Sequence, residues 1–186
     1  MRVSREQMSS NRARILDEAG RLFRERGFEG VTVADVMKAA GMTHGGFYGH
    51  FASKDALIAA TIAHAMVRHD SGGTDAFASF LDAYLAPRHR DTAASGCPTA
   101  ALAGLLPAQQ SAAQQAMAEG LAAQIERLSS LMPEGSDAER RRAAIGRWSA
   151  MVGALILSRA IPDTPLSDEI LAETRAWLAE ATGSVV

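Results

Sequence analysis

Residues 44–50 read His-Gly-Gly-Phe-Tyr-Gly-His, a set of side chains that can meet a duplex nucleic acid at close range. His44 can donate to guanine N7 or O6, and the Tyr48 ring can lie on a base methyl or send its hydroxyl to a phosphate. Three glycines in a short helical stretch cost on the order of 1 kcal/mol each relative to alanine. Such local violations mark places where something else must come close. Without a Cβ, Gly45 and Gly46 let thymine methyls or phosphates approach the backbone itself. Thr32 and Thr43 stand at the starts of helical patterns, where hydroxyl, free amides and helix dipole converge on an anion. His50 and Lys54 would lie beside the same stretch of phosphate backbone. Gly49 is left out of the candidate site. A metal reading of His44 and His50 fails on ligand count, since no third ligand is near.

These groups need a frame, and the flanking periodicity supplies one. Residues 10–26 are expected to form a first helix with Ile15, Leu16, Ala19, Leu22 and Phe23 on one stripe. Gly27 should end it in a left-handed conformation, with Phe28 folding back on Phe23. A second helix starts at Thr32, where Thr32 and Asp35 have capping-box spacing, and it presents Val33, Val36, Met37 and Ala40 before Gly41 stops it. Thr43 is expected to cap a third helix almost at once, with Met42 placed to pack on Phe47. Two helices joined by three or four residues containing glycine have helix-turn-helix geometry. Phe47 and Phe51, one turn apart, are the inward anchors of the third helix. Ser53 caps a fourth, with Ile58, Ile62, Ala65 and Met66 on its apolar side, closed by residues 69–73. Further helices are predicted over 74–86, 98–106, 108–131, 136–160 and 167–181, with breaks at 87–95, at Pro107, at 132–135 and at 162–165. The fold class is therefore all-α, about nine helices, with no sustained strand-like alternation and no internal repeat.

Taken together, the first helix ending in Arg-Gly-Phe, then Thr-Val-x-Asp-Val, then Ala-Gly-Met-Thr-x-Gly-x-Phe-Tyr-x-His-Phe and Ser-Lys-x-x-Leu resemble the TetR/AcrR family of bacterial regulators over about residues 10–60. The resemblance implies an N-terminal three-helix DNA-binding domain, residues 1–55, that touches operator DNA through Thr32, the third-helix positions and Lys54. It also implies a C-terminal effector-binding and dimerisation domain, residues 56–186. There the last two long helices form a four-helix interface in a homodimer, and a cavity between the middle helices takes a small-molecule effector that releases DNA. Repression relieved by the effector is the family's expectation. Gly49 departs from the larger polar or basic residue such proteins often carry.

The body itself offers coarser signals. Phe77, Phe80, Tyr84, Leu102, Leu105, Met117, Trp148 and Met151 are either the aromatic and methionine walls of an effector cavity or plain core. Residues 148–157 are apolar nearly all round, which argues for burial on two sides, against the body and against a partner subunit. Trp148, Val152, Leu155, Ile156, Leu171 and Trp177 are the candidate interface residues. Cys97, the only cysteine, is either a thiol made acidic at a helix start or a small packed residue. His64, His69 and His89 are expected at the surface or in loops, and residues 139–142 on a solvated helix face.

Composition sets the outer bounds. The 186 residues include 47% hydrophobic and 22% charged, the mix of an ordinary globular protein. Net charge is −2 overall, but residues 1–55 carry nine Lys/Arg against seven Asp/Glu, and Arg2, Arg5, Arg12, Arg14 and Arg21 crowd the start. That distribution suits local phosphate binding. No apolar run is long enough to span a membrane, and the first residues have no apolar signal-peptide core, so a cytoplasmic protein without a cofactor is expected. No nucleophile–base pair, paired carboxylates or phosphate loop supports an enzyme. The rival reading is a helical ligand-binding or adaptor protein that has lost DNA binding, suggested by Gly49 and the low net charge.

Overall fold

The computed structural model describes residues 4–70, 77–132 and 135–183, and every regular element among them is helical. The α-helices are α1 (Arg5–Arg26), α2 (Val33–Ala39), α3 (Lys54–Asp70), α4 (Phe77–Tyr84), α5 (Pro87–Asp91), α6 (Pro98–Leu102), α7 (Ser111–Ser130), α8 (Asp137–Ala160) and α9 (Pro165–Gly183). Short 3-10 segments lie at His44–Gly49, Ala93–Ser95 and Ala103–Ala108. The predicted helix over 74–86 is seen from Phe77, and its first three residues lie outside the described residues. The chain divides into two compact units, one drawn from Met1–Ser71 and Cys97–Gly120, the other from Gly72–Gly96 and Leu121–Val186.

In the first unit, α1 begins earlier than its apolar stripe, because Ser4 caps it by accepting from the Gln7 amide at 3.1 Å. Residues 5–9, four of them polar, carry no periodic signal, so only the cap marks the true start. At the other end Gly27 has φ 70°, open to glycine and rare for other residues, and its N–H donates to the Phe23 carbonyl at 2.9 Å. Its ψ of 174° is extended, so the ending is not the left-handed helical cap expected from sequence. The hydrophobic contact forms regardless, Phe28 meeting Phe23 edge-on at 5.3 Å. The core of this unit is the α1–α3 contact, built from Ile15, Ala19, Phe23, Leu57, Ile58 and Ile62, all buried. His64 Nε2 and Asp17 Oδ1, 2.8 Å apart, join the same two helices at the rim.

In the second unit α8 and α9 pack on each other. A capping box opens α8: Ser136 accepts from the Glu139 amide while the Glu139 carboxylate takes the Ser136 amide at 2.8 Å. These bonds hold the Glu139 carboxyl below the usual glutamate range, the Ser136 hydroxyl contributing most. Residue 139 is thus a helix cap and not simply part of a solvated face. Ser167 Oγ donates to the Ser158 carbonyl at 2.8 Å where the two helices meet. The expected break over 87–95 contains α5, a single turn started by Pro87 at its first position and too short to show a period. Arg159 ties that turn down, donating to the carbonyls of His89 and Arg90 at 2.7 and 3.1 Å.

Burial redistributes the candidate interface residues. Trp148, Leu155 and Leu171 are enclosed by the chain's own core, so they are not open to a partner as the sequence suggested. Ile156 is 45% and Trp177 60% exposed, Val152 is half-buried, and Ile145, Leu157 and Leu166 are exposed as well. Hydropathy alone cannot say which flank of an all-round apolar helix meets its neighbour helix.

Candidate nucleic-acid interface

The candidate reading element is a 3-10 helix, His44–Gly49, tighter than the α-helix the sequence suggested. Three glycines and only six residues leave little to favour the wider turn, and 3-10 geometry is common in such short pieces. Thr43 precedes it in extended conformation but makes no side-chain cap bond, contrary to the sequence expectation. Gly41 has φ 69°, and the Met42 amide donates to the Met37 carbonyl at 2.8 Å, turning the chain between the two helices.

Phe47 is 1% exposed and Phe51 is buried, their rings stacked at 5.7 Å, so the element is anchored from beneath. The opposite side is open. Tyr48 is 69% exposed, and His44, Gly45, Gly46 and Thr43 are exposed around it. A Cβ placed on Gly45 or Gly49 would meet nothing within 4 Å, whereas one on Gly46 would sit in ordinary contact with Met37 and Thr43. Nothing inside the protein requires glycine at 45. His44 and Tyr48 rings meet edge-on at 6.4 Å, forming one exposed aromatic ridge.

Thr32 is exposed at the start of α2, with its hydroxyl already engaged. It donates to Asp35 Oδ2 at 2.5 Å and accepts from the Asp35 amide at 3.1 Å, while Asp35 also takes the Thr32 N–H at 2.9 Å. The Thr32 hydroxyl is the main reason the Asp35 carboxyl sits below its ordinary range, the backbone amide adding to it. A phosphate at Thr32 would have to take the place of that carboxylate. Lys54 is the first residue of α3 and is half-buried, next to Ser53, whose Oγ accepts from the Ala56 amide at 3.1 Å. His50 ends the 3-10 element, half-buried, its N–H donating to Phe47 at 2.8 Å.

One contributor was visible in the sequence only as part of the basic head. Arg12 Nη1 donates to the His50 carbonyl at 2.7 Å, and its guanidinium lies 4.2 Å from the centre of the Phe51 ring. No sequence period links position 12 to position 50.

Residues 15–61 match the sequence model of the bacterial regulatory proteins, tetR family. The N-terminal segment is thus similar to the tetR family. Its relatives include the HTH-type transcriptional regulator TtgR of Pseudomonas putida, 36% identical over 70 residues, which is 38% of this chain and 33% of that protein. The HTH-type transcriptional repressor KstR2 of Rhodococcus jostii is 44% identical over 50 residues, 27% of this chain and 24% of that protein. Both matches thus span a third or less of the relative's length. The fold likeness extends much further. The reduced form of Escherichia coli NemR superposes with a TM-score of 0.73 over 92% of this chain and 96% of its own, at 22% identity. A TetR-family regulator from Agrobacterium tumefaciens does so with 0.73 over 93% and 98%, at 19% identity. The chain therefore has the TetR fold over nearly its whole length, with sequence similarity concentrated in the head.

The candidate cavity residues divide between the units. In the second, Phe77, Phe80, Tyr84, Trp148 and Met151 are buried, and Phe80, Tyr84 and Trp148 form a ring cluster with centroids 5.1–6.2 Å apart. In the first, Leu102 and Met117 are buried, while Leu105 is exposed beside Gly27. His89 departs from its expected surface position: it is half-buried against Tyr84, its Nδ1 donating to the Tyr84 carbonyl at 2.7 Å, and burial lowers its pKa. Cys97 is fully buried at the start of α6. Among the described residues no three His, Cys, Asp or Glu side chains are grouped to hold a metal, and no helix is long and apolar enough to cross a membrane.

Proposed function

We propose that this TetR-fold chain is a DNA-binding transcriptional regulator, a repressor that a small-molecule effector releases from its operator. The observation that carries the reading is the exposed ridge of His44, Gly45 and Tyr48 standing on buried Phe47 and Phe51. Thr32, Thr43, Gly46, His50 and Lys54 complete the DNA site, with residues 1–55 as the reading module and 56–186 as the effector and dimerisation body. The curated relatives of the head are transcriptional regulators and repressors, and none is named as an enzyme.

The active form is a homodimer joined through the apolar side of α8 and α9. Ile145, Val152 and Ile156 follow i, i+7 and i+11 along α8, and Leu166, Ile170 and Trp177 follow i, i+4 and i+11 along α9. A set of large apolar groups on two adjacent helices marks an interaction surface. Two heads placed about one helical turn of DNA apart, roughly 34–36 Å, would then read the two halves of a palindrome.

A gel shift against an operator selected from random duplexes, run across a salt series, tests this proposal. A regulator binds with steep salt dependence because phosphate contacts release counterions. The adaptor reading predicts no shift at any salt. Lys54→Ala should lower affinity for operator and random duplex alike and flatten the salt slope by about one unit. Loss on the operator alone would contradict a phosphate role for Lys54.

A further inference from the structure

We propose that the aromatic cluster of the second unit seats the effector, and that this effector is a flat aromatic molecule bearing an sp2 acceptor oxygen. The assignment rests on the regulator reading above. Trp148 is 4% exposed and Gln124 3% exposed, yet the indole Nε1 and the amide Nε2 have no hydrogen-bond partner. The Gln124 amide is not free to turn: its Oε1 accepts from Arg127 Nη2 at 3.0 Å, which directs the NH2 elsewhere. The Arg127 guanidinium lies 5.1 Å from the centre of the Phe80 ring. Phe80 in turn stacks with Trp148 at 6.2 Å and 27°, and Tyr84 meets Trp148 edge-on at 5.1 Å. Gln124, Arg127, Phe80, Trp148 and Tyr84 therefore form one continuous series.

A buried donor without an acceptor is costly, and native proteins hold few of them. Two stranded donors, one in the ring cluster and one joined to it through Arg127, are accounted for if a ligand brings the acceptor. The aromatic surroundings of the Trp148 donor favour an aromatic body. The adjacent guanidinium accommodates an anionic oxygen as readily as a neutral carbonyl. Carboxylate and ketone share the acceptor chemistry, so both belong to the class.

Calorimetric titration of the full chain with 2-naphthoate, 2-acetylnaphthalene and naphthalene tests the assignment. The acid and the ketone should bind, with naphthalene at least about tenfold weaker. Trp148→Phe and Gln124→Leu should each weaken 2-naphthoate about tenfold, in line with one lost hydrogen bond. Equal binding of naphthalene and naphthoate, or unchanged affinity in both variants, overturns the proposal. Operator gel shifts on the same samples separate the two readings. A chain that shifts DNA but binds no probe refutes the ligand assignment alone; one that binds 2-naphthoate but no DNA refutes the regulator reading alone.

In the first unit, the structure assigns Arg12 to positioning the reading element. A six-residue, glycine-rich 3-10 turn has little stiffness of its own, so its pose must be set from outside. Arg12 reaches across from α1, donates to the His50 carbonyl just past that turn at 2.7 Å and lies over Phe51 at 4.2 Å, holding both the end of the turn and its anchor. The flat, forked guanidinium makes both contacts at once, which an ammonium cannot do. Arg12→Ala should lower operator affinity about tenfold, leaving random-duplex affinity, salt slope and melting temperature unchanged. Arg12→Lys should restore little. Full rescue by lysine, or parallel loss on both DNAs with a slope shallower by about one unit, would make Arg12 a phosphate ligand and overturn the assignment. Undiminished operator binding by the alanine variant would overturn it too.

Discussion

Replacing Tyr48 with alanine is expected to weaken operator binding by about 1–3 kcal/mol, roughly ten- to a hundredfold, with the dimer and the fold intact. Tyr48 is 69% exposed, and its ring stands nearly perpendicular to those of His44 and Phe47. Removing it therefore leaves no cavity and unpairs no buried group, so the melting temperature should stay within a degree or two of the parent. Phe47, directly beneath, behaves oppositely because it is the anchor: its loss opens the core, and any effect on DNA would be inseparable from unfolding. The contrast between adjacent aromatic residues is what makes Tyr48 informative. Operator affinity by fluorescence anisotropy, alongside a thermal melt, checks the prediction. Unchanged affinity would remove Tyr48 from the reading surface and leave His44 as the sole exposed ring on the ridge.

Charging the exposed side of α8 and α9 is expected to abolish dimers. Ile156→Glu with Trp177→Glu places two carboxylates on side chains that are 45% and 60% exposed in the single chain, so each protomer should stay folded. The loss appears instead as monomers in sedimentation velocity and as operator binding weaker by about two orders of magnitude or more, because the second head no longer binds at high effective concentration. Leu155→Glu is the control. Leu155 is 0% exposed, and an unpaired carboxylate there should destabilise the protomer itself by at least about 3 kcal/mol. If the exposed pair is charged and the protein still sediments as a dimer, the interface lies on another face.

Both experiments show how much of this protein is decided locally. Neighbouring residues settle the helical class, the Thr32–Asp35 and Ser136–Glu139 caps, the glycine ending of α1 and the alternation of buried Phe47 with exposed Tyr48. Each depends on a helical repeat or a cap reaching three residues along the chain, so residue order determines it. The candidate DNA residues are legible for the same reason: they lie within two dozen positions of one another.

What tertiary structure decided involves partners far apart in sequence or surfaces alike in hydropathy. Arg12 meets His50 across 38 positions, and Arg159 closes α5 across about 70, pairings that no local period announces. Leu155 and Ile156 are adjacent and equally apolar, yet only one faces the core, because the direction from which a neighbouring helix arrives assigns burial. The stranded donors of Gln124 and Trp148 belong to the same category. Hydrogen-bond deficit is a property of a packed environment, and a sequence records the donor without recording whether folding brings it an acceptor.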